Sequence, residues 1–203
     1  MKRIAGPQIL AAVLAILYGL FWFWYGGAGK PLTEQEIQTY LARFESMGQS
    51  GSALFRVGDR FEAWMRADDG GEFFMVNLID DPADAEAAAT YDRAILPPLL
   101  RRASFPVFLA RPFATFIEPD GHHTWDTVAI MRYRSLRDLL EVVAGPQAEE
   151  LRTLKEASVS NTHVLPTHAV FSFIQVKFIA AVLFVALGLR LHFGLRRFGW
   201  YRR

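Results

Sequence analysis

Two adjacent histidines, His122 and His123, form the densest group of reactive side chains in the sequence. They end the turn segment EPDGHH and are followed by Trp125 and Asp126. Neutral imidazole beside a carboxylate is a good ligand for Zn²⁺ or Cu²⁺. Adjacent side chains seldom point the same way, however, and histidines in turns are usually solvated. A metal site at His122 and His123 is therefore one hypothesis and a solvated turn is the other. We expect no resident cofactor.

Polar residues inside apolar segments are the other candidates. Asn77 interrupts the apolar run FFMVNLI, and a buried amide costs a few kcal/mol unless its hydrogen bonds are made. A ligand could supply those bonds, as could Tyr91, a neighbouring backbone group or a dimer interface. Arg132 and Arg134 alternate with apolar residues, so they would either receive an anionic substrate or pair with nearby carboxylates. The candidate ligand-binding residues are Asn77, Tyr91, Trp125 and Arg132.

Strong catalytic motifs are absent from the 203 residues. The chain has no cysteine, which excludes thiolate catalysis, and it has no Walker loop, H-E-x-x-H motif or G-x-S-x-G elbow. The sequence therefore does not identify a reaction.

Charge divides the chain into three parts. All 21 acidic residues lie between Glu34 and Glu156, and the segment from Lys30 to Glu156 contains 14 basic residues, which gives it a net charge of −7. The other eight basic residues lie towards the two ends. The acidic middle argues against nucleic acid as a partner. The apolar content of 52% exceeds the roughly 45–50% of a typical soluble domain.

The first end is predicted to be a transmembrane helix over residues 4–25. No charged residue occurs for 26 positions from Ile4 to Gly29, which is long enough to span a bilayer. A cleaved signal peptide is the alternative, because Lys2 and Arg3 precede the run. The length of the run, its aromatic end at residues 21–25 and the second apolar segment favour an uncleaved anchor.

The second end is predicted to be a transmembrane helix over residues 173–195, followed by a basic cytoplasmic tail at 196–203. Its apolar centre, Phe178 to Leu189, is bracketed by Lys177 and Arg190, whose long side chains can reach the membrane interface. A buried Lys177 with a functional partner is the alternative.

The charge distribution also predicts a topology. Basic residues outside both spans place both termini in the cytoplasm and residues 30–168 outside it, in a two-pass protein of the cell (inner) membrane. The lipid bilayer is then the first partner. The lack of cysteine is compatible with an oxidising compartment.

The middle segment is predicted to be α+β. Thr33 with Glu36 forms a capping box that starts a helix, and a second helix follows over residues 52–66. We expect a strand at residues 73–79, a helix capped near Asp81 and broken at Pro97-Pro98, and a hairpin of residues 107–117 and 125–133. A second capping box, Ser135 with Asp138, starts the next helix, and a last strand lies near residues 163–165.

This order predicts a ferredoxin-like βαββαβ core over residues 73–166, preceded by a helical extension over 33–66 and placed between the two transmembrane helices. The stretches FFMVNLIDDPADAEAAATYDRAILPPLLR, HTWDTVAIMRYRSLRDLLEVV and PQAEELRTLKEA resemble the domain-of-unknown-function family numbered 1330. That family belongs to the dimeric α+β barrel superfamily, which includes antibiotic-biosynthesis monooxygenases. The resemblance rests on the patterns MVNL, WD and S-x-x-x-L-L, and it implies a fold and a sheet-to-sheet homodimer.

These observations lead to three functional hypotheses. The first is a non-catalytic, membrane-anchored extracytoplasmic module that binds a small ligand or a partner protein. The second is a monooxygenase- or isomerase-like enzyme acting on a hydrophobic substrate from the bilayer. The third is a structural subunit of a membrane complex. For assembly, we expect a homodimer through the open face of the sheet; the alternative is that the helices of residues 33–66 cover that face.

Overall fold

The computed structural model describes residues 6–48, 60–81, 84–117, 123–171 and 175–197. The chain forms two compact units, one from Met1–Tyr25 with Val170–Arg203 and the other from Gly26–Ala169. In chain order the elements are α1 (Gly6–Gly26), α2 (Glu34–Gly48), α3 (Phe61–Arg66), β1 (Phe73–Asp80), α4 (Ala85–Arg101), β2 (Phe105–Ala110), β3 (Thr127–Tyr133), α5 (Leu136–Val143), α6 (Ala148–Ser158), β4 (Asn161–Thr167) and α7 (Val176–Arg197). The predicted α+β class is confirmed.

The terminal unit contains two helices, α1 and α7, which are long and apolar enough to cross a membrane. The two helices contact each other in antiparallel order: the rings of Tyr18 and Phe184 lie 5.6 Å apart, and Lys177 lies over Trp22. Two such helices at the two ends fit the predicted two-pass membrane protein.

The second unit is built on a four-stranded antiparallel sheet with the strand order β2-β3-β1-β4. Phe73 lies opposite Tyr133, and Leu78 lies opposite both Val128 and His163. Since paired residues project from the same side of a sheet and side chains alternate along a strand, this register assigns every side chain to one of two faces.

One face, the helix face, forms the hydrophobic core. Phe73, Met75 and Tyr133 project from it and pack with buried side chains of α4 and α5, including Ile95 and Leu140. Burial of these large apolar side chains contributes about 1.5–3 kcal/mol each.

The helical extension packs into this same core. Ile37 and Tyr40 of α2 and Met65 of α3 are buried in it, and Trp64 contacts Phe73 with 5.3 Å between ring centroids. The described parts of the extension therefore enlarge the helix layer. The segment 49–59, which includes Phe55 of the predicted second helix, lies outside the described residues.

The predicted capping box at Thr33 forms in full, and at Ser135 the N-cap half of the predicted box forms. The amide of Thr33 donates to Glu36 Oε2 at 2.8 Å, and the amide of Glu36 donates to Thr33 Oγ1 at 3.3 Å. The Ser135 hydroxyl donates to Asp138 Oδ2 at 2.7 Å, and the amide of Asp138 donates to Ser135 Oγ at 3.2 Å. Each box satisfies backbone donors that the first turn of a helix leaves unpaired.

The helix α4 differs from its prediction at both ends. Its N-cap is Asp84, which accepts from the amide of Glu86 at 2.8 Å. The carboxylate of Asp81, the predicted cap, accepts from the Thr127 hydroxyl. The helix continues through Pro97 and Pro98 to Arg101. Leu99, which is 2% exposed, follows the two prolines, so core packing holds a turn that local propensity disfavours.

The strand bounds also differ. The strand β2 begins at Phe105 and ends at Ala110, before Pro112, whereas the hairpin strand was predicted to reach residue 117. A register shift between Pro106 and Phe108 interrupts its pairing with β3. The last strand, β4, is longer than predicted because its pairing with β1 extends from Asn161 to Thr167.

Candidate functional site

The second face of the sheet, which we call the open face, is apolar along its centre. It carries Phe74, Val76, Leu78, Val128, Ile130, Phe108 and Leu165. In the described part of the chain, none of these side chains belongs to the hydrophobic core or packs against it. Phe108 is 51% exposed and Leu165 is 39% exposed. The open face is therefore an apolar surface on which another molecule could lie.

One end of the open face carries a polar and aromatic group, which we call the histidine end: Asp80, His123, Trp125 and His163. The register assigns Asp80 and His163 to the open face. His123 Nε2 lies 2.8 Å from Asp80 Oδ2 and 2.9 Å from Asp80 Oδ1. The ring of Trp125 packs edge-on against that of His123, with centroids 4.4 Å apart, and lies 6.5 Å from His163.

The contact between Asp80 and His123 orients the imidazole. A carboxylate accepts hydrogen bonds, so Nε2–H is assigned as the donor and, in the neutral imidazole, Nδ1 is left as an acceptor. A carboxylate-oriented imidazole can act as a general base. The His123 side chain is 52% exposed, so a ligand can reach it.

The loop that holds His123 and Trp125 is tied to the end of β1. The amide of Asp81 donates to Asp126 Oδ2 at 2.9 Å, and the amide of Asp126 donates to the carbonyl of Ile79 at 3.0 Å. The Thr127 hydroxyl donates to Asp81 Oδ1 at 3.1 Å, and Arg111 lies 3.1 Å from Asp81 Oδ2. These bonds position the histidine end on the sheet.

The opposite end of the open face carries Arg132, which is 1% exposed. Its Nε donates to Glu72 Oε2 at 2.9 Å, and a terminal nitrogen lies 2.7 Å from the same oxygen. Another terminal nitrogen donates to the carbonyl of Ala103, and the guanidinium lies 5.6 Å from the centre of the Phe105 ring. Arg134, just beyond the strand, binds Asp138 through its Nε at 2.6 Å. Both arginines thus have carboxylate partners.

Asn77 lies on the helix face, away from the open face. Its Nδ2 donates to the carbonyls of Met75 at 3.0 Å and Ala129 at 3.4 Å. Tyr91 lies in α4, where burial raises the pKa of its hydroxyl. Lys155 lies 5.0 Å above the Tyr91 ring, and burial lowers the pKa of its ammonium group, partly offset by Asp92.

The structure therefore distributes the four candidate ligand-binding residues over three places. Trp125 lies at the histidine end and Arg132 at the other end of the open face, whereas Asn77 and Tyr91 belong to the helix side of the sheet. His122 lies outside the described residues. Within the described ranges, no group of three His, Cys, Asp or Glu side chains is arranged to hold a metal ion. Metal binding at His122 and His123 stays a prediction.

Two residues of this surface, Asp80 and Glu72, were not among the site residues predicted from the sequence. Each stands at one end of the apolar run of β1, and both share the strand parity of Phe74, Val76 and Leu78. That parity was a usable signal, because it assigns both carboxylates to the open face once the register is known. His163 lies within β4, opposite Leu78, in the strand predicted near residues 163–165.

Comparisons with known proteins give a likeness of fold. No protein-family model matches the chain, so the resemblance to family 1330 is not confirmed, and no curated protein matches it. The crystal structure of methylated RPA0582 protein has a TM-score of 0.50 at 24% identity, over 58% of this chain and 95% of its own. The RPA0582 protein of unknown function from Rhodopseudomonas palustris, a structural genomics target, gives 0.49 at 25% identity, over 57% and 96%. The TM-score of 0.50 and identity of 24% show a likeness to an uncharacterised protein in the α+β fold alone.

Proposed function

We propose that this protein is a membrane-anchored extracytoplasmic module that binds a small ligand or a partner protein on the open face of its sheet. The observation that carries the proposal is the apolar centre of that face, which the described helices leave uncovered. Monomeric proteins rarely expose contiguous apolar patches larger than a few hundred Å² unless the patch has a binding role.

We also propose that the core is ferredoxin-like and related to family 1330. The strand order β2-β3-β1-β4, with every pair antiparallel, supports this reading, as does α4 between the first two strands. The helical extension is an addition to the simple βαββαβ order, and two helices, α5 and α6, lie where that order has one.

The first occupant we propose for the open face is a second copy of the chain. Stacked sheets lie about 10 Å apart, so two apolar faces can interdigitate their side chains. The polar groups at the two ends of each face would then border the enclosed space, where a small ligand could bind.

A matched pair of variants tests this interface. Phe108 projects from the open face and Leu109 from the opposite face of the same strand, and both are exposed. In full-length protein in detergent, sedimentation should show a dimer that Phe108→Ser weakens at least tenfold and Leu109→Ser leaves intact. If the protein is a monomer at all concentrations, a second copy does not occupy the open face. If both variants weaken the dimer equally, the dimer interface is not the open face.

The proposed topology has both termini in the cytoplasm and the α+β unit outside. The basic residues beyond the two spans support it, namely Lys2, Arg3, Arg196, Arg197, Arg202 and Arg203. A reporter fused after Arg203 should be active only in the cytoplasm, and one inserted at Gly121 only outside. The reverse pattern would refute this topology.

An enzyme acting on a hydrophobic substrate is the second candidate, and the contact of His123 with Asp80 beside an apolar surface favours it. If it is a monooxygenase, oxygen uptake with apolar phenols should be lost in His123→Gln and kept in His168→Gln, whose exposed histidine lies beyond β4. Uptake that survives His123→Gln would exclude His123 as the base.

A further inference from the structure

A cavity of about 450 Å³, open on one side, lies between α1 and α7 within the terminal unit. Its walls include the small residues Ala11, Ala15, Ala181 and Gly188, and Leu14 reaches across towards α7. A methyl group at Gly188 would come within 2.9 Å of Leu14 Cδ1, so the two helices approach closely there. The volume falls within the roughly 300–1,000 Å³ of ligand pockets.

The cavity covers only part of the length of the helices. On α1 it runs from Pro7 to Tyr18, which is about 16 Å at a rise of ~1.5 Å per residue. Half of a ~30 Å hydrocarbon layer is roughly 15 Å, so the cavity has the length of one leaflet. A transmembrane helix from a partner would need a groove along the full span. The length therefore favours an acyl chain as the occupant.

The two ends of the cavity differ in chemistry. At one end the ring of Tyr18 packs against Phe184 at 5.6 Å, and its hydroxyl donates to the carbonyl of Lys177 at 3.2 Å, which closes the gap between the helices. At the other end, His192 lines the wall, and Arg196 follows one turn later on the same side of α7. The sequence places no acidic residue in residues 1–29 or 170–203. This end is therefore complementary to an anionic group.

We propose that the cavity binds one anionic phospholipid, with an acyl chain between α1 and α7 and its phosphate at His192 and Arg196. The inference rests on the proposal that both helices span the bilayer. The aromatic contact at Tyr18 limits the depth of the chain, and the basic end selects the headgroup.

Native mass spectrometry of the full-length protein tests the proposal, with dioleoylphosphatidylglycerol as the anionic probe and dioleoylphosphatidylcholine as the neutral one. We expect one phosphatidylglycerol per chain, retained several-fold more than phosphatidylcholine. Ala15→Leu, which fills the cavity, should abolish retention, and Ala11→Leu serves as a second filling variant one turn away. Ala186→Leu is the matched control, since Ala186 is exposed and does not line the cavity.

The headgroup contact has its own variant, Arg196→Gln, which should remove the preference for phosphatidylglycerol and leave equal, weak retention of both lipids. Equal retention by the unaltered protein would overturn the headgroup assignment. Retention that neither filling variant reduces would overturn the cavity as the site.

Three further outcomes separate this inference from the other proposals. The chain has no cysteine, so Ala11→Cys provides a single cross-linking site; efficient disulfide-linked dimers in native membranes would assign the cavity to a second copy and overturn the lipid. Release of the protein from membranes by alkaline carbonate would overturn the membrane-spanning arrangement and the lipid site together. If the protein stays in the membrane under alkaline carbonate but does not retain phosphatidylglycerol, the lipid site alone is overturned.

Discussion

The guanidinium of Arg132 lies 2.7 Å from the carboxylate of Glu72, although the arginine side chain is 1% exposed and that of Glu72 is 48% exposed. The pair joins the end of the central strand β3 to the residue that precedes β1. A buried guanidinium requires hydrogen-bond partners because its desolvation is expensive, and here Glu72 and the carbonyl of Ala103 provide them.

Removing the Glu72 charge should therefore destabilise the α+β unit. We expect Glu72→Gln to lower the free energy of unfolding by about 1–3 kcal/mol, because it leaves a buried cation without its counter-charge. The measurement is urea unfolding of the full chain in detergent, followed by tryptophan fluorescence. Glu62→Gln is the control: Glu62 pairs with Arg66, both side chains are about half exposed, and its removal should change stability far less. Equal effects would show that Arg132 does not depend on Glu72.

The two capping boxes should differ in their contribution to stability. Ser135→Ala should lower the unfolding free energy by about 1 kcal/mol, because Ser135 accepts from the Asp138 amide at the start of α5, where Leu136 and Leu140 are buried. Thr33→Ala removes the exposed box at the start of α2 and should cost less. The same unfolding experiment compares them, and a larger loss for Thr33→Ala would contradict this ranking.

Alkaline pH should destabilise the core through Tyr133. Burial raises the pKa of Tyr133 to about 12, from an ordinary value of 10.0. Since the folded state holds this proton more tightly than the unfolded state, the associated stability is complete below pH 10 and is lost as the pH rises towards 12. Tyr133→Phe should therefore show a shallower loss of unfolding free energy between pH 10 and 12, by about 2–3 kcal/mol. Parallel curves for both proteins would exclude Tyr133 as a source of the loss.

Lys177 should stabilise the pairing of α1 with α7. Its ammonium lies 4.7 Å from the Trp22 ring centre and 5.8 Å from that of Tyr25, the distances of a cation–π contact. Lys177→Met should weaken the helix pair by about 0.5–2 kcal/mol, and Lys177→Arg should retain most of the contact. The rate of disulfide formation between Leu14→Cys and Gly188→Cys, introduced together, reports the pairing. An unchanged rate in Lys177→Met would indicate that the lysine reaches the interface without stabilising the pair.

Local signals were readable from the sequence. The capping boxes at Thr33 and Ser135 depend on groups three residues apart, and the apolar ends depend on composition over about twenty residues. A continuous apolar run bounded by Gly and Asp likewise identified β1, and the turn sequence EPDGHH identified the hairpin that contains β3, which together indicated the α+β class. Such features need no knowledge of the rest of the chain.

Pairings between distant residues were decided by the tertiary structure. Arg132 binds Glu72, 60 residues away in sequence, and His123 binds Asp80, 43 residues away. These contacts depend on the pairing of the strands, which determines which distant side chains become neighbours. The sequence also did not determine the face of the sheet on which α2 and α3 pack, because an amphipathic helix can bury its apolar side against either face. Phe73 and Tyr133 complete their core with Trp64 and Met65 on the helix face, and the open face was left apolar and available because of that choice.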